Sequence, residues 1–97
     1  DIEFFESFLQ IRDKVPMEST LQEKVITELT KKLKEKHEIN QLDGIKISIN
    51  ENTWSLIRRS NTEDIIRVST ESNDKQMLEN TQKEIIANVK SCYEEIK

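Results

Sequence analysis

Between Ile45 and Val68 the chain runs through three short apolar segments separated by polar turns, and this pattern constrains the fold more than any other feature. Ile45, Ile47 and Ile49 alternate with Lys46 and Ser48, a period of two that places the isoleucines on one face of a strand. Asn50-Glu51-Asn52 then has the chemistry of a hairpin connection, since Asn tolerates tight turns and bonds its own backbone. A second strand is expected over Thr53 to Arg59, and a third over Glu63 to Glu71 with Ile66 and Val68 inward and Arg67 facing away from the core. Asp43-Gly44 marks the turn that opens the series.

Upstream, Phe8 to Val15 places Leu9, Ile11 and Val15 on one face and Gln10 and Arg12 on the other, with Asp13 interrupting the apolar side. It reads as a strand that Pro16 ends. Ser19 or Thr20 supplies an N-cap, with Glu23 as capping-box partner. Leu21, Val25, Leu29 and Leu33 follow at helical spacing, widened by Ile26, and the helix should end near Lys36. A last helix, capped by Ser72-Asn73-Asp74, carries Met77, Ile85, Val89, Cys92 and Ile96. The order is strand, helix, three strands, helix. Each amphipathic face is buried if both helices pack on one face of a four-stranded, mainly antiparallel sheet, an α+β two-layer domain of order β-α-β-β-β-α.

A length of 97 residues fits one domain, taken to span 8–97, with residues 1–7 the end of a linker from a preceding domain. The start at Asp1, without a basic or apolar leader, is expected of a piece of a longer chain. No run is long enough for a transmembrane helix, and no membrane partner is expected. A lone cysteine, Cys92, cannot form an internal disulfide, is compatible with a cytoplasmic location, and falls on the apolar stripe as core filler. His37 has no Cys, His or Asp set at ligand spacing and reads as a solvated residue near a helix end; no metal site is expected in this chain. A net charge of −4 opposes general nucleic-acid binding. Lys31 to Lys36 is interleaved with Glu35 and complements a helix C-terminus. Charge is distributed unevenly, however: Trp54 to Thr70 holds Arg58, Arg59 and Arg67 against only Glu63 and Asp64. Such a local positive field suits one small anion.

The segment Arg58-Arg59-Ser60-Asn61-Thr62-Glu63 lies at the centre of that field, between the apolar runs Trp54–Ile57 and Ile65–Val68. Guanidinium forks, hydroxyls, an amide and a run of backbone N–H groups are what a phosphate pocket needs. Spacing alone leaves this site and an ordinary polar turn on equal terms. The wider pattern separates them. Arg58-x-Ser60-Asn61-Thr62-Glu63, running into Ile65-Ile66-Arg67-Val68 and preceded by Asp43-Gly44-Ile45-Lys46 and Trp54, resembles the C-terminal domain of the α-D-phosphohexomutases, which include phosphomannomutase/phosphoglucomutase and phosphoglucosamine mutase. The likeness is most specific over Asp43–Glu71, and it departs from the family at Arg59 and Asp64, where the loop usually carries prolines.

The resemblance implies a TATA-box-binding-protein-like fold and a loop that grips the phosphate of the sugar phosphate that is not being transferred. Matched by position, Arg58 is the guanidinium clamp, Ser60 and Thr62 are hydroxyl donors, Asn61 is an amide or backbone donor, and Arg67 is a further phosphate-binding candidate. It also implies an intramolecular phosphotransferase acting on hexose 1- or 6-phosphates through a phosphoserine, with Mg²⁺ held by an Asp-x-Asp-x-Asp motif in earlier domains. Neither motif occurs here, so no catalytic residue is expected and the isolated chain should be inactive. The competing class is a free-standing α+β interaction or RNA-binding module. That reading needs aromatic and basic residues on an open sheet face. Three Phe, one Trp and one Tyr offer few, and Phe4, Phe5 and Phe8 cluster at the entry.

Overall fold

Among the described residues, six antiparallel strands form one sheet, and both helices lie on the same side of it. The computed structural model of the chain describes residues 2–5, 8–42, 44–60 and 62–97. In chain order the elements are β1 (Ile2–Phe5), β2 (Phe8–Pro16), α1 (Ser19–Leu33), β3 (Glu38–Leu42), β4 (Gly44–Asn50), β5 (Thr53–Arg59), β6 (Ile65–Ser72) and α2 (Lys75–Ile96). The sheet order is β1-β2-β6-β5-β4-β3, and every pairing is antiparallel. The expected four strands are therefore the inner β2, β6, β5 and β4, and the expected count is too low by two edge strands. Ile2–Phe5, within the expected linker end, pairs with β2, while Glu38–Leu42 pairs with β4.

Alternation along the inner strands builds the core. Val15, Ile45, Ile47, Ile57, Ile66 and Val68 are buried beneath Val25, Leu29 and Leu33 of α1 and Ile85, Val89 and Cys92 of α2. Burial pushes the Cys92 thiol pKa up, which suits a thiol serving as core filler. Polar residues on the covered face are paired. Thr53 Oγ1 and Ser72 Oγ lie 2.9 Å apart, and Ser55 Oγ and Thr70 Oγ1 lie 2.7 Å apart. Gln82 of α2 accepts from Thr70 Oγ1 at 2.5 Å and donates to Val68 O at 3.1 Å and Asp13 Oδ2 at 2.9 Å. The acid that breaks the apolar side of β2 is thus a partner for a buried glutamine.

The helix ends depart from expectation at α1. Its first residues carry no side-chain cap; instead Ser19 N donates to Asp64 Oδ1, 3.2 Å away in the β5–β6 connection. Glu23, expected in a capping box, pairs with Arg59 Nη1 at 3.3 Å. The helix closes at Leu33, three residues before Lys36, and the half-buried His37 donates its N–H to Leu33 O at 2.9 Å. By contrast, Asp74 caps α2 as expected, with Oδ1 accepting from Gln76 N at 2.9 Å and Met77 N at 3.4 Å. Tyr93 and Glu95, near the end of α2, reach both ends of α1. Tyr93 donates to the Glu18 carboxylate, and Lys32 Nζ meets Glu95 Oε2 at 2.5 Å.

Candidate anion-binding site

Residues alternating with the core strands point to the open face of the sheet, away from the helices. Register then decides which of them meet. Arg58 on β5 stands opposite Arg67 on β6, and Arg67 stands opposite Lys14 on β2. All three are exposed, and they form one row across three neighbouring strands. In the adjacent row Arg12, Ser69, Leu56 and Lys46 follow one another in the same way. A cavity of about 530 Å³ opens over these rows, lined by Gln10, Arg12, Lys14, Leu56, Arg58 and Arg67 among others.

Strand spacing is about 4.8 Å, and like charges placed directly opposite one another are destabilising. Arg67 has an acidic neighbour on its own strand connection. Arg67 Nη2 lies 3.8 Å from Glu63 Oε1, and each side chain is half exposed, so that pair is weak. Further along the face, the Phe8 and Trp54 rings lie 5.4 Å apart, with Lys46 Nζ 5.1 Å from the Trp54 ring centroid.

Gly44 sets the approach of β4 to this site. Its φ is +94°, and a Cβ there would lie 2.3 Å from Ile57 O and 3.0 Å from Arg58 Cγ. Only glycine fits so close to the strand that carries the guanidinium.

The connection from β5 to β6 is held from within and from below. Ser60 is buried, and its Oγ accepts from Thr62 N at 3.3 Å and Glu63 N at 3.1 Å. Two of the loop's backbone N–H groups, those of Thr62 and Glu63, are thus turned onto the Ser60 oxygen, and the hydroxyl keeps its own proton for donation. Beneath the loop, Met17 N donates to Asp64 O at 2.8 Å, and Gln22 Nε2 donates to Met17 O at 3.1 Å and Glu63 O at 3.4 Å. Arg59 and Asp64, which replace the usual prolines, are both tied to the start of α1, Arg59 through Glu23 and Asp64 through Ser19. Tertiary bonds here do the work that a fixed φ would otherwise do.

Of the residues singled out from sequence, Arg58 and Arg67 come together, Ser60 sits in the base of the loop, and Thr62 is exposed at its turn. Asn61 lies outside the described residues. Sequence reasoning missed Lys14 and its neighbour Arg12. Alternation of Leu9, Ile11 and Val15 turns both toward the open face, but only the pairing of β2 with β6 brings them beside Arg67. Among the described residues, no three His, Cys, Asp or Glu residues converge as metal ligands, and no helix is long and apolar enough to cross a membrane.

An antiparallel sheet covered on one face by helices, with a cationic row and a braced polar loop at the end of its central strands, is an α+β two-layer domain. Residues 14–88 match the family described as phosphoglucomutase/phosphomannomutase, C-terminal domain, and the chain belongs to that family. It is 39% identical over 69 residues to a probable phosphoglucosamine mutase of Methanothermobacter thermautotrophicus, covering 67% of this chain and 15% of that protein. It is 43% identical over 70 residues to a phosphoglucosamine mutase of Methanococcus vannielii, covering 70% and 16%. A probable phosphoglucosamine mutase of Pyrococcus furiosus matches at 33% over 93 residues, covering 93% and 20%. The chain thus spans a fifth or less of the length of these relatives.

Proposed function

We propose that this chain is the substrate-phosphate-binding domain of a phosphohexomutase, and that Arg58, Ser60, Asn61, Thr62 and Arg67 hold the phosphate that is not being transferred. The observation that carries the reading is the cross-strand pairing of Arg58 with Arg67 beside the polar loop. Two guanidinium groups on facing strand positions suit a phosphate monoester, which both can bind in bidentate fashion. The relatives named as phosphoglucosamine mutases favour a hexosamine phosphate as the parent's substrate.

Within that parent, the domain supplies binding energy remote from the reacting oxygen, orienting the sugar so that O1 or O6 meets a phosphoserine carried elsewhere. A site built for phosphate rather than for sugar hydroxyls serves both halves of an interconversion through a bisphosphorylated intermediate, since either end of the sugar presents the same group. In this reading the Mg²⁺ that the family resemblance implies is held by preceding domains of the parent chain.

Calorimetric titration with glucosamine 6-phosphate tests the reading. We expect a dissociation constant near 1 mM, about −4 kcal/mol, for the domain alone. Arg58→Ala should weaken it by about tenfold or more, the scale of one charge-assisted contact. Equal affinity in the variant would remove Arg58 from the site. The RNA-binding alternative gains one observation, the gathering of Phe8, Trp54 and several cations on the open face. A gel shift with single-stranded RNA at 150 mM salt, abolished by Trp54→Ala, would favour it over the phosphate reading.

A further inference from the structure

Lys14 is the one cation of the three-strand row that no sequence motif marks. It stands opposite Arg67, and Arg67 stands opposite Arg58, so with a strand spacing of about 4.8 Å the outer two positions are roughly 10 Å apart. A ligand seated over Arg67 is then flanked on both sides.

Lys14 is exposed on this row. Asp13, next in sequence, also lines this cavity, and its Oδ2 accepts from Gln82 Nε2 at 2.9 Å. Glu63 lies toward Arg67, 3.8 Å from its guanidinium. The row beside it holds the neutral Ser69 and Leu56 between Arg12 and Lys46. Lys14 also lines the same cavity as Arg58 and Arg67.

We propose that Lys14 is a specificity-determining residue that reads the second negative charge of the ligand, so that the site selects a phosphate monoester dianion over a monoanion of the same shape. The proposal rests on the phosphate reading above and extends it. Two guanidinium forks supply the directional bonds that any tetrahedral oxyanion accepts. An ammonium on a flexible stem adds a compact point charge, whose attraction grows with the charge of the ligand. A phosphate monoester carries about −1.5 to −2 at neutral pH, whereas a sulfate monoester of nearly the same geometry carries a single charge.

The test is a titration of the 97-residue chain with glucose 6-phosphate and with glucose 6-sulfate at pH 7.5, followed through amide resonances. The wild type should prefer the phosphate. Lys14→Gln, a near-isosteric change at an exposed position, should lower phosphate affinity roughly fivefold, the scale of one exposed ion pair, and leave sulfate affinity within twofold. Lys14→Arg should restore the preference. If Lys14→Gln weakens both ligands equally, or leaves the ratio intact while Arg58→Ala abolishes phosphate binding, the role of Lys14 is overturned and the phosphate site stands. If neither ligand binds the wild type, or Arg58→Ala changes nothing, the phosphate reading fails and this proposal fails with it.

Discussion

The two faces of this sheet are made by the same strands and follow opposite rules. On the covered face, Ile57 and Val68 sit opposite one another with no exposure, and even the polar residues Ser55 and Thr70 close a bond at 2.7 Å. One residue further along each strand, on the open face, Arg58 meets Arg67 with like charge against like. The first arrangement gains from burial and from paired hydroxyls. The second sets like charge opposite like on exposed side chains. Alternation therefore lets one pair of strands build the core and the candidate site from interleaved residues, so stability and the proposed binding should be separable by mutation.

Ile57→Ala should show the largest effect on stability. It empties a site with 0% exposure and should cost about 3 kcal/mol in urea unfolding, with phosphate affinity unchanged in the fraction that remains folded. Arg58→Ala, its neighbour, should do the reverse, shifting stability by under about 0.5 kcal/mol while binding falls. A large stability loss from Arg58→Ala would break the contrast between the faces. Gly44→Ala should come next, because its Cβ would lie 2.3 Å from Ile57 O at a φ of +94°. A loss of about 2 kcal/mol, with shifts in the Arg58 and Arg59 amides, is expected. Asp64→Ala removes the acceptor for Ser19 N and should cost about 1 kcal/mol, with a modest loss of phosphate affinity as the loop loosens. Undiminished stability would show that the α1 start does not need the bond.

Legibility followed how local each signal is. The runs Ile45–Ile49 and Ile65–Val68 show their inward faces by alternation, and the α2 cap at Asp74 depends on residues next to it in sequence. Glu38–Leu42 is mostly polar and gave no strand pattern, since an edge strand is held by its partner rather than by a buried face of its own. Capping at α1 was misread for a similar reason: the acceptor is Asp64, 45 residues away. The loop residues of the site were visible as a motif, whereas Lys14 depended on the first inner strand lying beside the last, which no short window contains. Asp13 looked like a fault in an apolar face until Gln82 was found to require it.

The smallest effect concerns the joint between the helices, remote from both faces of the comparison. The Tyr93 hydroxyl holds the Glu18 carboxyl below its ordinary 4.5, and the same bond pushes Tyr93 above its ordinary 10.0. Stability from the lowered Glu18 is present above 4.5 and is lost as pH falls through its lower folded value. Stability from the raised Tyr93 is present below 10.0 and is lost as pH rises through its higher folded value. Tyr93→Phe should therefore be slightly less stable across neutral pH and converge with the wild type at both extremes, by thermal melts at several pH values. A constant difference at every pH would point to packing instead.

Amide shift mapping during titration with glucosamine 6-phosphate tests the central claim most directly. Saturable shifts concentrated at Arg58 to Glu63, at Arg67 and at Lys14 are predicted, with the amides of α1 and α2 little changed beyond Ser19 and Gln22. Shifts confined to the helices, or none at ligand concentrations well above 1 mM, would contradict an anion site on the open face.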